Sequence, residues 1–328
     1  MYTLYGALAS PYSQKMRAIL RYRRLIHVWK HGAVAQAMLT KVKAPVIPVL
    51  EFPDGTFAND TTPLIYELEK RHAERSIVPE DEGHAFLAHL IEDFADEWLT
   101  KAMFGYRWLE EVDQKQMSEW LAFDAFKGGG EAAVEHAKTF RERQVGRMAI
   151  VGCTRENFPL IESSTKRVLA ALEAQVTTDH WFFGSRPSLA EFSVFGQFSQ
   201  LGVDPTAQAM MRAEFPYTYR WLLHVDDASG IEGEWGIQGA GLKPAAKAIL
   251  AEVGRVYAPF LIANARAAEA GEKTFRIEVD GMPYEQGVFK YQLKCLVDLR
   301  TRYAGLSSES KASVDPILSE ADCLDFLS

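Results

Sequence analysis

Val46-Ile47-Pro48-Val49-Leu50-Glu51-Phe52-Pro53-Asp54-Gly55-Thr56-Phe57-Ala58-Asn59-Asp60-Thr61-Thr62-Pro63 is the stretch that decides the fold. Val46 to Phe52 reads as a β-strand interrupted by a proline. Pro53-Asp54-Gly55-Thr56 is a strong turn signal, and Thr56-Phe57-Ala58 returns as the next strand. Asp60-Thr61-Thr62-Pro63 then opens a helix, with Pro63 early in its first turn, where the missing N–H costs nothing. That helix runs through Leu64, Ile65 and Leu68 and stops near His72.

Before this stretch, residues 2 to 8 are short, aromatic and β-prone. Residues 13 to 25 carry Met16, Ile19, Leu20 and nearby Tyr22 at helical spacing between basic residues, which predicts an amphipathic helix. His27 to Lys30 is a second candidate strand, and residues 33 to 42 a weak helix. The predicted order is βαβ, a helical stretch, then ββα.

Beyond it the pattern becomes helical. Phe86, Leu87, Leu90, Ile91, Phe94, Trp98 and Leu99 mark a long helix, which Lys127-Gly128-Gly129-Gly130 separates from the next, near residues 131 to 150. Residues 157 to 176 form another. Ser188-Leu189-Ala190-Glu191 has the S-x-x-E spacing of a capping box and opens an apolar helix through Leu201. Residues 206 to 225 also read as helix. Residues 228 to 243 are Gly-rich and read as a linker, followed by a helix near 244 to 269. The alternation around Asp280-Gly281 predicts a β-hairpin, and a last helix is expected from Gly287 to Tyr303.

Composition bounds the function. The chain has 328 residues, more than one compact core holds, so at least two domains are expected. The mixture is 48% hydrophobic and 24% charged, that of a soluble globular protein. No signal segment or membrane span is expected, nor any membrane partner. The three cysteines, Cys153, Cys295 and Cys323, are widely spaced without C-x-x-C, which argues against a disulfide scaffold and fits a cytoplasmic, reducing setting. The net charge of -8 argues against nucleic acid as a partner. Residues 1 to 50, however, carry eight Lys and Arg and no Asp or Glu, so the segment is formally +8 and the remainder -16. Such a segment either attracts a small anion or forms a solvated or subunit-facing surface.

Two short segments carry a resemblance. Ser10-Pro11-Tyr12-Ser13, at the corner between the first strand and first helix, resembles the C-P-Y-C site of glutaredoxins with serine at both cysteine positions. Serine-type glutathione transferases carry a similar corner. Val46 to Leu50 followed by Asp60-Thr61 is similar to the cis-proline strand and the acidic-hydroxyl pair of the same family, and the capping box at Ser188 resembles one in its helical domain. The resemblance covers roughly residues 1 to 225. It implies an α+β protein with a thioredoxin-like glutathione-binding domain (1–76) and an all-helical domain (84–226); residues 227–328 lie beyond the usual family pattern and read from their own periodicity as an extension of helices and a short hairpin, expected to pack on the helical domain.

The chemistry implied is activation of a thiol. An unperturbed thiol has a pKa of about 8.5, and the thiolate is the nucleophile. Ser10, at a helix N-terminus, is the implied hydroxyl donor to the glutathione sulfur, with Ser13 as runner-up. A plain N-cap role for Ser10 obeys the same local rules. Tyr5 is a weaker donor candidate, placed early on its strand. Tyr12, Lys43, Ile47, Pro48, Asp60 and Thr61 are the implied glutathione-contacting set. A cis Pro48 presents the Ile47 backbone to the cysteinyl part, Asp60 meets the γ-glutamyl ammonium and Thr61 its carboxylate. Capping of the helix by Asp60-Thr61 uses the same groups. Lys43 lies close to the position that meets the glycyl carboxylate. Phe104, Tyr106 and Trp108 are candidates for an electrophile pocket, against a core reading.

The cluster Glu92, Asp93, Asp96 and Glu97 offers paired carboxylates, but a solvated helix face is the preferred reading. His84 and His89 are not at i, i+4 spacing, so no metal is expected. The function expected is that of a glutathione transferase, a homodimer taking glutathione as co-substrate and a hydrophobic electrophile. The alternatives are a non-catalytic glutathione-binding or protein-interaction module and, weakest, a thiol-disulfide oxidoreductase.

Overall fold

A computed structural model describes residues 1–126, 128–236 and 242–328. Lys127 of the expected helix break and residues 237–241 of the expected linker lie outside the described residues.

The N-terminal domain follows the predicted order. β1 (Tyr2–Gly6), α1 (Pro11–Tyr22), β2 (His27–His31), α2 (Ala33–Met38) with a 3₁₀ turn at Leu39–Lys41, β3 (Val49–Glu51), β4 (Phe57–Asn59) and α3 (Thr61–Arg71) succeed one another. The sheet order is β2-β1-β3-β4. β1 runs parallel to β2, with Gly6 beside His31, and antiparallel to β3, with Tyr5 beside Val49; β3 is antiparallel to β4, with Val49 beside Asn59. Side chains alternate as a strand requires. Leu4, Leu50 and Phe52 join the main core with α1 and α3. Tyr5 and Val49 face the other way, into a small core closed by Ala35 and Met38 of α2.

This register places the site. The C-terminal end of β1, the N-terminal end of β3 and the C-terminal end of β4 all lie at one edge of the sheet. The β1–α1 corner, the cis Ile47–Pro48 peptide and the start of α3 therefore gather there.

The helical domain begins with α4 (Glu82–Phe94), which passes through a π-helical segment (Ala95–Leu99) into α5 (Thr100–Leu109). The expected long helix breaks at Glu110, in extended conformation, so α6 (Glu111–Phe126) is a separate element. α7 (Glu131–Val145), α8 (Phe158–Val176), α9 (Leu189–Leu201), α10 (Pro205–Glu214) and α11 (Pro216–Asp226) complete it. Pro216 splits the last pair. The capping box at the start of α9 is present in full. α9 packs directly on α1, and Gly196 makes this possible: a Cβ there would sit 2.9 Å from the Pro11 carbonyl oxygen and 3.0 Å from Lys15 Cβ.

The extension holds α12 (Pro244–Glu252), a π segment (Val253–Tyr257) and α13 (Ala258–Glu269) as one continuous helix. By length and composition alone that helix could cross a bilayer, but most of its apolar stretch is buried within the protein. β5 (Thr274–Val279) and β6 (Met282–Gly287) form the predicted hairpin, with Asp280 and Gly281 both at positive φ in its turn. α14 (Lys290–Ala304) is not the last helix: α15 (Ser308–Glu320) and α16 (Leu324–Leu327) follow. α12 lies on α8, and α14 and α15 lie on α4.

Candidate functional site

Ser10 is the N-cap of α1. Its backbone is extended and its Oγ accepts from the Ser13 amide at 3.2 Å. That bond uses a lone pair and leaves the hydroxyl proton free to donate. Pro11 follows, and the first turn of α1 holds no acidic residue, so the positive end of the helix is uncompensated there. Ser13 points the other way. It is fully buried, and its Oγ accepts from the Ala7 amide at 3.2 Å. A Cβ on Gly6 would collide with that Oγ, so glycine at the end of β1 is what admits Ser13 beneath the strand. Tyr5 donates to Glu51 at 2.8 Å across the sheet.

The loop that presents Ser10 is held by buried side chains from the helical domain. Arg107 on α5 donates to the Ala9 carbonyl at 2.7 Å, to Asp204 at 2.9 Å and to Gln200 at 2.7 Å. Gln14 and Gln200 both donate to the Leu8 carbonyl, at 2.8 and 3.2 Å. Burial raises the Asp204 carboxyl to about 6, against the pull of Arg107 beside it. None of these residues stands out in the sequence, because their partners lie 93 to 192 positions away, apart from Gln14.

At the facing element, Asp60 precedes α3 in a left-handed conformation with φ 74° and makes no side-chain capping bond. The expected capping role therefore does not fall to its carboxylate. Thr61 is buried, and its Oγ1 lies 3.5 Å from Lys15 Nζ and 3.4 Å from Asp96 Oδ2, turned toward the interior. The first-turn amides of α3 consequently lack a side-chain cap and form an anion-accepting helix end. Lys43 is exposed on the loop before β3, without an ion pair among the described residues. Asn59 donates to the Ala44 and Val46 carbonyls, at 2.6 and 3.0 Å, and so fixes the approach to Pro48. Tyr12 donates to the Asp96 carbonyl at 2.8 Å, tying the corner of α1 to the π segment.

Beneath both elements lies a charge cluster that the solvated-face reading missed. Lys15 Nζ sits 2.6 Å from Glu92 and 2.8 Å from Asp96, with Lys15 and Glu92 side chains only 1% exposed. Burial opposes ionisation of Glu92, but Lys15 and His89 outweigh it and hold its carboxyl below the ordinary range. Burial raises Asp96 to about 7 despite Lys15. On the opposite side of the same helix burial lifts Asp93 to about 6, where it accepts from Tyr257 at 2.6 Å, and Glu97 to about 8, near Gln292 at 3.3 Å. The four carboxylates are enclosed by α1 on one side and the extension on the other. The basic N-terminal segment has a similar fate: Arg21 pairs with Asp226, Arg23 with Glu69 and Arg24 with Glu232. Much of its charge is therefore spent within the chain rather than projected as a field.

Phe104, Tyr106 and Trp108 fall in the helical core. Tyr106 meets Phe158 edge-on at 5.0 Å and donates to Glu162, and Trp108 packs between Phe104 and Phe140. The apolar space beside the Ser10 loop is a cavity of about 840 Å3 lined by Leu8, Ala9, Trp120, Phe123, Phe195 and Leu223, among others. Its aromatic wall comes from α6, whose Trp120 and Phe123 are half exposed or more. No group of three or more His, Cys, Asp or Glu able to hold a metal occurs among the described residues.

Comparison with known proteins identifies the fold. Residues 4–76 match the glutathione S-transferase N-terminal domain, and residues 134–224 match the glutathione S-transferase C-terminal domain. Among solved structures the chain is similar to a glutathione S-transferase from Rhodospirillum rubrum, at 16% identity over 76% of this chain and 92% of that one, with a TM-score of 0.45. It is also similar to one from Methylobacterium radiotolerans in complex with glutathione sulfonate, at 17% identity over 73% and 99%, with a TM-score of 0.40. A GST-like protein from Pseudomonas syringae shows 16% identity over 68% and 66%, with a TM-score of 0.46. No curated protein matches. With a thioredoxin-like domain followed by an all-helical domain, and the two domain models matched in that order over half its length, the chain belongs to the glutathione S-transferase family.

Proposed function

We propose that this protein is a glutathione transferase that activates the glutathione thiol at Ser10 and presents the thiolate to an apolar electrophile. The observation that carries the reading is the Ser10 hydroxyl at the N-terminus of α1, with its proton unspent and no acid in the first turn. A hydrogen bond to a charged group contributes about 1.5–3 kcal/mol and a helix N-terminus about 0.3–1 kcal/mol. At about 1.4 kcal/mol per unit, together they lower a thiol pKa by roughly one to three units, from about 8.5 to about 5.5–7.5, so that thiolate is a large fraction at neutral pH at the weak end and the main species at the strong end.

The rest of the tripeptide has partners at the same sheet edge. The Ile47 backbone beside Pro48 would pair with the cysteinyl residue as an added strand does. Asp60 would take the γ-glutamyl ammonium, the uncapped amides at Thr61 and Thr62 its carboxylate, and Lys43 the glycyl carboxylate. The electrophile would lie in the cavity against Leu8, Ala9, Trp120 and Phe123. The thiol proton leaves to water, the sulfur forms the new C–S bond, and a leaving group or an added proton completes the product.

The test is the ultraviolet absorbance of the bound thiolate, titrated against pH in wild type and Ser10→Ala. Wild type should bind glutathione with a depressed thiol pKa, and the variant should bind it with the pKa near that of free glutathione. Absence of binding in wild type would refute the reading. Binding with an unshifted thiol would favour a non-catalytic glutathione-binding module.

A further inference from the structure

The extension reaches back to the glutathione-binding edge. Tyr291, in the first turn of α14, places its hydroxyl 3.1 and 3.3 Å from the two carboxylate oxygens of Asp60, 231 residues earlier in the chain. We infer that Tyr291 is a positioning residue of the glutathione site, donating to Asp60 so that its carboxylate stays ionised and oriented for the γ-glutamyl ammonium. This rests on the glutathione reading above and adds to it a residue from outside both matched domains.

Three observations make the contact a built feature. First, the start of α14 is clamped. Asn264, fully buried on α13, donates to the Phe289 carbonyl at 3.0 Å and accepts from the Phe289 amide at 2.8 Å. The next residue but two, Gln292, is bonded to Glu97 and Gln286. Second, two turns along α14, Asp298 lies 2.9 Å from His89 Nε2 on α4 and accepts from Arg302 at 2.7 Å, so the helix is fixed against α4 as well as at its start. Third, Asp60 is held at positive φ without capping α3, a costly backbone state that persists only where surroundings fix it.

The stoichiometry of donors and acceptors suits an orienting role. An ionised carboxylate has about four lone-pair sites. Tyr291 lies near both oxygens but has one proton and takes one site, the Thr62 amide lies near another, and the rest remain for an ammonium. The phenol stays protonated, since burial and Asp60 both push its pKa up, so it always donates. Asp60 faces Lys15 from α1, Glu92 from α4 and Tyr291 from α14. Burial is the largest influence on it and raises its pKa; the Tyr291 bond is the largest opposing one, ahead of Lys15, while Glu92 adds to the rise. Lys294, Asp298 and Arg302 line the same cavity of about 590 Å3 behind Asp60.

The test is calorimetric titration with glutathione over the acidic to neutral range in wild type and Tyr291→Phe, with an analogue lacking the γ-glutamyl amino group measured in parallel. Tyr291→Phe should weaken glutathione roughly three- to tenfold, the scale of one ordinary hydrogen bond, since the lost bond acts on the ligand only through Asp60. The acidic limb of its binding curve should move to higher pH, and binding of the amine-free analogue should be unchanged. In an Asp60→Asn background the Tyr291→Phe effect should vanish, which keeps the assignment testable if Tyr291→Phe alone lowers stability. Equal affinity and equal pH profile in wild type and Tyr291→Phe, tighter binding in the variant, or the same loss for the analogue would overturn the role of Tyr291 alone. A wild type that binds no glutathione would overturn the glutathione reading and this one with it.

Discussion

Replacing Lys15 by methionine should cost about 3 kcal/mol of stability at neutral pH, and the deficit should grow as pH rises. Lys15 is the ammonium between Glu92 and Asp96, at 2.6 and 2.8 Å, inside the contact between α1 and α4. Removing one partner of a buried ion pair costs about 3–5 kcal/mol, because the remaining charge is left without compensation. The lower end applies here. Asp96 is already lifted to about 7 by burial, so near neutrality one full carboxylate charge is stranded, on Glu92, rather than two. Against a typical total of about 5–15 kcal/mol the loss is large. The sign of the pH dependence follows from the protons bound. In wild type, Lys15 and His89 hold Glu92 below its ordinary value, so Glu92 contributes stability above that value and loses it as pH falls. Without Lys15, burial, the largest influence, outweighs what His89 and the Thr62 hydroxyl still supply, and the folded carboxyl rises above its unfolded value. The folded state then binds more protons than the unfolded one, and stability is lost as pH rises. Urea unfolding followed by tryptophan fluorescence at several pH values reads both effects. A triple variant, Lys15→Met with Glu92→Leu and Asp96→Leu, should recover most of the loss, since apolar replacement of a whole buried ionic group is often neutral or better. A loss under about 1 kcal/mol, or a deficit constant with pH, would refute this account of the cluster.

Two further outcomes follow from other sites. Burial raises the Glu191 carboxyl of the capping box from an ordinary 4.5 to about 7, so its contribution to stability is full below the ordinary value and lost as pH rises toward 7; urea midpoints of Glu191→Gln should lack that slope. Phe123→Ala should raise the KM for an apolar electrophile roughly three- to tenfold with the glutathione KM unchanged, because a half-exposed aromatic wall contributes about 1 kcal/mol of contact; steady-state kinetics with each substrate varied in turn checks it.

The sequence discloses local signals well and remote ones poorly, and particular residues show why. Pro53-Asp54-Gly55-Thr56, the Asp280-Gly281 turn and the Ser188–Glu191 box are each complete within a few residues, and each is found where it is expected. The edge that gathers Ser10, Pro48 and Asp60 follows from strand order, of which the Pro53–Thr56 turn dictates only the β3–β4 pair; the pairing of β1 with β2 and β3 is non-local. By contrast, Glu92, Asp93, Asp96 and Glu97 look like a wet helix face in any local window. Their partners are Lys15, 77 positions earlier than Glu92, and Tyr257 and Gln292, 164 and 195 positions later than Asp93 and Glu97. The surplus of cations in residues 1 to 50 is the complementary half of the same signal. A lysine on the buried stripe of α1, between Met16 and the Ser13 corner, needs a carboxylate from elsewhere, and the acidic remainder of the chain supplies it.

The core placement of Phe104, Tyr106 and Trp108, and the proposal of a pocket elsewhere, have a related reason. Phe104, Tyr106 and Trp108 sit on a helix enclosed by α6, α8, α9 and α7, whereas Trp120 and Phe123 lie on the outer side of α6, which begins only because the chain turns at Glu110. A break without proline or glycine leaves no mark in the sequence. The same enclosure makes the helix from Glu82 to Leu109 the element that joins the parts of the molecule. Its π segment sends Asp96 toward Lys15 and Glu97 toward Gln292, so one helix binds the glutathione domain on one side and the extension on the other. Tyr291 then closes the circuit from the extension to Asp60. The two domains and the extension therefore meet at the proposed ligand site itself. A substitution in α14 should be felt first in glutathione affinity, through Asp60, rather than in the chemistry at Ser10.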